Sequence, residues 1–169
     1  MLRPIVNIAD VSLDPTSPNW AVATGHSAED FAAKTGAIGA RIGARKLGYN
    51  ITAVPPGKRA APFHSHPAKE EMFFVLHGSG EVRIGEARYP IRPGDIIACP
   101  AGGKETAHQI INTGTEELRY LAVSTEHSLE MAQYPDSGRF AVGAEIGTAP
   151  DGTSQRVIFI GNENQQFKF

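Results

Sequence analysis

His64-Ser65-His66-Pro67-Ala68-Lys69-Glu70-Glu71-Met72-Phe73-Phe74-Val75-Leu76-His77-Gly78 is the stretch on which the fold turns. In an extended chain, residues two apart share a face, so His64 and His66 project together. After a polar connection, Glu71 opens the run Met72–Leu76, which is apolar at every position. A strand of that kind meets water on neither face. If Glu71 points into a barrel, Phe73 and Val75 do too. Met72, Phe74 and Leu76 then need a cover, from a second sheet, the terminal arms or another subunit. Two imidazoles and a carboxylate brought together in this way are a donor set for a divalent metal.

Outward from this stretch the texture stays the same. Short β-rich runs at Tyr49–Val54, Glu71–Leu76, Glu81–Ile84, Arg88–Ile91, Asp95–Cys99, His108–Asn112 and Arg119–Ser124 alternate with Gly/Pro punctuation. Pro55-Pro56-Gly57, Gly78-Ser79-Gly80, Pro93-Gly94-Asp95 and Pro100-Ala101-Gly102-Gly103 supply the turns. Many short strands at nearly regular spacing predict an all-β sandwich or barrel and not an α/β fold. His108 opens one of these runs, where barrel closure can return it to the cavity of His64, His66 and Glu71.

The flanks read differently. Residues 1–46 form an N-terminal arm, with a possible short strand at Ile5–Ile8 and Pro15 and Pro18 forbidding a long element. Ser27, followed by Asp30, predicts a short helix over Phe31–Lys34 that Gly36 ends. The barrel core is expected over 47–125. Residues 126–169 are a C-terminal extension, with one strand at Val157–Ile160 packing on the barrel.

Of the 169 residues, 41% are hydrophobic and 20% charged, with a formal net charge of −2, which suits one domain with a sizeable core. No clustered Lys/Arg excess provides a nucleic-acid surface. Cys99 is the single cysteine, so no intrachain disulfide forms. The sequence predicts neither signal peptide nor membrane span, making the cytoplasm the expected location.

The residues also match a known family pattern. Gly57 to Gly78, with His64, His66 and Glu71 between them, resembles the first signature of the cupin superfamily. Gly94, Pro100-Ala101-Gly102, His108 and Asn112 resemble the second. Tyr49 and its neighbours, with Tyr134-Pro135-Asp136-Ser137-Gly138, resemble a largely uncharacterised branch of bacterial single-domain cupins. The resemblance implies a double-stranded β-helix, or jelly roll, with His64, His66, Glu71 and His108 as metal ligands. The chain departs from the pattern at Gly103-Lys104-Glu105-Thr106-Ala107, where it is longer, although His108 keeps its spacing to Asn112.

Fold alone does not name a reaction. One divalent ion per chain (zinc, iron, manganese or nickel) is expected. The resemblance allows a metal-dependent enzyme on a small polar metabolite, isomerase-like with sugar phosphates or dioxygenase-like. The alternative is a non-catalytic module that binds or senses a small molecule. His26, His77 and His127 read as surface or core residues, Glu70 as solvated and Cys99 as a small buried residue. Tyr49, Tyr89, Tyr120 and Tyr134 read as packing residues, any of which could orient a substrate through a hydroxyl in the barrel. The doubly apolar Met72–Leu76 run and the arm predict a homodimer.

Overall fold

The computed structural model describes residues 3–148 and 154–165. Strands β1 (Asp14–Pro15), β2 (Lys34–Ala37), β3 (Leu47–Val54), β4 (Glu71–His77), β5 (Gly80–Ile84), β6 (Ala87–Ile91), β7 (Ile96–Cys99), β8 (His108–Ile111) and β9 (Leu118–Thr125) build the barrel region. β10 (Leu129–Tyr134), β11 (Arg139–Thr148) and β12 (Ser154–Asn162) follow. One sheet runs β1-β2-β3-β9-β4-β7, a second β6-β5-β8 and a third β10-β11-β12. All named strand pairs are antiparallel. The chain is a jelly roll, and every predicted barrel strand is present with ends shifted by at most two residues.

The core lies between the first two sheets. Val54, Phe73, Val75, Val82, Ile97, Ile110 and Leu118 come from both and form one buried cluster. Phe73 and Val75 point inward, as the two-residue period of β4 requires. On the outer face of the large sheet, Leu76 and Leu121 pack with Val11, Leu13 and Ile38. The arm of the same chain therefore covers part of the face that the sequence left open, and Met72 and Phe74 are half-buried.

Two family-pattern residues have structural roles. Gly78 has φ +74°, and a Cβ there would stand 2.5 Å from the Glu117 carbonyl oxygen, so the turn after β4 excludes any side chain. Asn112 is fully buried. Its amide donates to the carbonyls of Val54 (2.7 Å) and Glu116 (2.8 Å) and accepts from the Gly114 N–H (3.0 Å). It ties the ends of β3, β8 and the turn before β9.

Three expectations are corrected. No helix forms over Phe31–Lys34: a 3-10 turn covers Ala28–Asp30, Phe31 bridges to Arg59 and Lys34 starts β2. So short a helix has too few internal hydrogen bonds to outweigh pairing with β3. Helix α1 forms instead at Asn19–Ala23. Ile5–Ile8 is no strand; Ile8–Asp10 is a 3-10 turn whose Ala9 N–H donates to Asn7 Oδ1. Among the described residues, the C-terminal extension carries three strands in place of the one expected. Ala132, Ala141 and Gly143 weaken the β propensity of β10 and β11; Glu130, Ala132 and Tyr134 share the buried face of β10, alternating with half-buried Met131 and Gln133.

Candidate metal centre

The segment Arg59–His66 runs between the small barrel sheet and the C-terminal sheet. His64 bridges to His108, with His108 N–H donating to the His64 carbonyl at 2.8 Å and the reverse bond at 3.1 Å. Ser65 bridges to Gln133 of β10 on the other side. His64 and His66 are thus held by backbone pairing, not by a free loop. Glu71 enters from the start of β4, where it pairs with Cys99 and Ser124.

The side chains converge on one carboxylate oxygen. Glu71 Oε2 lies 3.0 Å from His108 Nε2, 3.6 Å from His66 Nε2 and 3.8 Å from His64 Nε2. His64, His66 and Glu71 place one ligand atom each within 4.8 Å of one another, a group that could hold a metal ion. His108 joins through its contact with Glu71. The longer turn before His108 is absorbed outside the strand, as a 3-10 turn over Lys104–Thr106. β8 stays in register, with His108 opposite Ile84.

Each imidazole is oriented through its other nitrogen. His64 Nδ1 donates to the Pro62 carbonyl at 2.7 Å, and His66 Nδ1 to Glu130 Oε1 at 2.9 Å. A carbonyl or carboxylate only accepts, so both Nε2 lone pairs face the cluster. His108 Nδ1 stands 3.4 Å from the Thr106 carbonyl. His66 Nε2 is buried with no hydrogen-bond partner among the described residues. An orphaned buried nitrogen beside a carboxylate and two further imidazoles fits a cation with nitrogen and oxygen preferences, so the residues present suit a divalent metal.

Burial lowers the His64 pKa to about 3, reinforced by His108 and His66 and opposed by Glu71. Burial also lowers His66, against the pull of Glu71 and Glu130. For Glu71, burial pushes upward, but the His108 hydrogen bond and the neighbouring imidazoles hold it at about 2. Burial pulls His108 down, yet Cys99 and Glu71 outweigh it and raise it to about 10. Without a metal, these contacts favour the protonated form of His108 beside the Glu71 carboxylate.

Two cavities meet at this cluster. One, about 240 Å³, lies inside the barrel against Phe73, Tyr120 and Asn50. The other, about 330 Å³, lies between His64, His66 and Glu71 and the C-terminal sheet, and includes Trp20, Glu130 and Tyr134. Glu130 escaped sequence reasoning, because nothing local links it to a histidine 64 positions away. Glu70, His77 and His127 are exposed and outside the cluster, and Cys99 is buried. His26 packs edge-on against Phe31 and Tyr134.

A family profile for the cupin domain matches residues 50–124. Protein SchB of Streptomyces halstedii is 32% identical over 102 residues, spanning 60% of this chain and 68% of SchB. The oxalate-binding protein of Thermotoga maritima is 33% identical over 70 residues, and the match spans 41% of this chain and 54% of that protein. The solved structure of a cupin-superfamily sugar phosphate isomerase from Silicibacter pomeroyi superposes with a TM-score of 0.74. That match covers 96% of this chain and 94% of the other at 20% identity, which establishes shared fold alone. This chain belongs to the cupin superfamily. Among the described residues, no helix is long and apolar enough to cross a membrane.

Proposed function

We propose that His64, His66, Glu71 and His108 hold one divalent ion and that the chain is a metal-dependent enzyme for a small polar metabolite. The observation that carries this reading is the convergence of three Nε2 atoms on Glu71 Oε2 between 3.0 and 3.8 Å. The ion, zinc, iron, manganese or nickel, supplies Lewis acidity at a bound substrate oxygen. The chain's residues fix the donors and shape two cavities beside them, one inside the barrel and one against the C-terminal sheet. Isomerase-like chemistry on a sugar phosphate and dioxygenase-like chemistry are the two reaction classes this reading carries. Turnover of a panel of sugar phosphates, keto acids and diketones by protein reconstituted with each metal tests it. Metal-dependent turnover supports the enzyme; a loaded protein inert to the whole panel contradicts it.

One observation favours a second reading, a non-catalytic module that binds or senses a small molecule. Glu130, which lines the cavity with Glu71, uses Oε1 to orient His66, so a general-base role for it would compete with that hydrogen bond. The similarity to the oxalate-binding protein of Thermotoga maritima supports this alternative. Tight ligand binding without turnover distinguishes it.

We also infer a cytoplasmic homodimer. The single cysteine supports the location. Phe159 of β12, 65% exposed and on the strand face away from the cavity-lining Ile158, supports association better than the Met72–Leu76 run, part of which the arm already covers. Light scattering at micromolar concentration should return twice the chain mass; a strict monomer contradicts the dimer.

A further inference from the structure

The larger cavity has an uneven chemistry. Its walls away from the donor cluster are apolar: Trp20, Ala132, Ala141 and Ile158. Two cationic side chains also line it, Lys69 from the segment before β4 and Arg156 from β12. Neither forms an ion pair with a carboxylate among the described residues. Lys69 is half-buried at the cavity wall.

Arg156 is placed by a glycine. Across β11 and β12, Glu145 faces Arg156 and Gly143 faces Ile158. A Cβ on Gly143 would stand 2.7 Å from Arg156 Nη2 and 2.8 Å from Nε. The missing side chain leaves the space across which the guanidinium lies, with both residues at the cavity wall. With a divalent ion at the donor cluster, the cavity sets the ion, Lys69 and Arg156 against two carboxylates, Glu71 and Glu130. That balance draws in an anion. The apolar walls give sugar hydroxyls few partners and give an apolar body many.

We propose that the C-terminal sheet completes a binding site for a small apolar organic acid. Arg156 and Lys69 take its anionic group, and Trp20, Ala132 and Ile158 cover its apolar body against the metal centre. The cavity, about 330 Å³, sits at the small end of ligand pockets, which run about 300–1,000 Å³. Guanidinium recognition of a carboxylate is geometrically specific, so Arg156 is the discriminating residue. This inference rests on the metal-centre reading above and, within it, sets an organic acid with an apolar body in place of the sugar phosphate.

Trp20, the chain's single tryptophan, reports on this cavity directly. Zinc-loaded protein is titrated with 3-phenylpropionate, 3-phenylpropan-1-ol, glucose 6-phosphate and inorganic phosphate, following Trp20 emission and heat of binding. The acid should bind saturably and at least about tenfold more tightly than the alcohol, the scale of one lost charged hydrogen bond. Arg156→Ala and Gly143→Ala should each weaken the acid about tenfold with zinc content unchanged, and Arg156→Lys should retain part of the affinity. Equal binding of acid and alcohol, an Arg156→Ala variant that binds as well as the parent, or tighter binding of glucose 6-phosphate overturns the inference. Elemental analysis of the same samples separates the two claims. A protein that never takes up zinc overturns the metal-centre reading and this inference with it. A zinc-loaded protein indifferent to the acid overturns the organic-acid site alone.

Discussion

Glu130 Oε1 lies 2.9 Å from His66 Nδ1, joining β10 to a histidine 64 positions earlier in the chain. Both side chains are nearly enclosed, at 7% and 10% exposure. The carboxylate fixes the ring so that Nε2 faces Glu71, and it raises the basicity of that nitrogen. The C-terminal sheet is thereby part of the donor cluster's support as well as a cavity wall.

Removing that support should weaken the metal without removing a ligand. Glu130→Gln keeps the shape but loses the charge, and should lower zinc affinity about 10- to 100-fold. Competition against a chromophoric chelator measures the change. Affinity equal to the parent's would show that His66 needs no such partner.

Stability of the metal-free protein should peak near pH 6.5. His108 is raised from 6.5 to about 10, so its contribution is full below 6.5 and is lost as pH rises through about 10. His64 is lowered from 6.5 to about 3, so the unfolded chain takes up more protons below 6.5 and stability falls toward acid. Glu71, lowered from 4.5 to about 2, adds its own loss as pH drops below 4.5. Urea unfolding across pH reads the dome, and His108→Ala should flatten its alkaline side. An alkaline limb unchanged in that variant would contradict the His108–Glu71 pairing.

Asn112→Ala should destabilise the fold by about 2 kcal/mol, because it leaves the buried Val54 carbonyl without a donor and removes the part-buried bond to the Glu116 carbonyl. Urea denaturation of the parent and variant gives the difference. A loss below about 1 kcal/mol would mean that water replaces the amide.

The barrel was legible because β4 is apolar on both faces and because glycine and proline mark nearly every strand end. His64 and His66 were legible from spacing alone, and Glu71 from the parity it shares with Phe73 and Val75. His108 needed the resemblance, since its approach depends on barrel closure between residues 44 positions apart. Glu130 left no local trace, and β10 and β11 hid behind alanines and glycine whose weak propensity is overridden by packing against Trp20. The short helix over Phe31–Lys34 failed for the opposite reason. Its local signal was real, but pairing with β3 displaced it.

The measurement that tests the metal centre most directly is metal content per chain, by elemental analysis, in the parent and in single histidine variants. After reconstitution the parent should hold about one equivalent of a divalent metal. His64→Ala, His66→Ala and His108→Ala should lose high-affinity uptake, whereas His77→Ala and His26→Ala, outside the cluster, should keep it. Less than about a tenth of an equivalent in the reconstituted parent, or equal loss in all five variants, would contradict a metal site built on Glu71 and its three imidazoles.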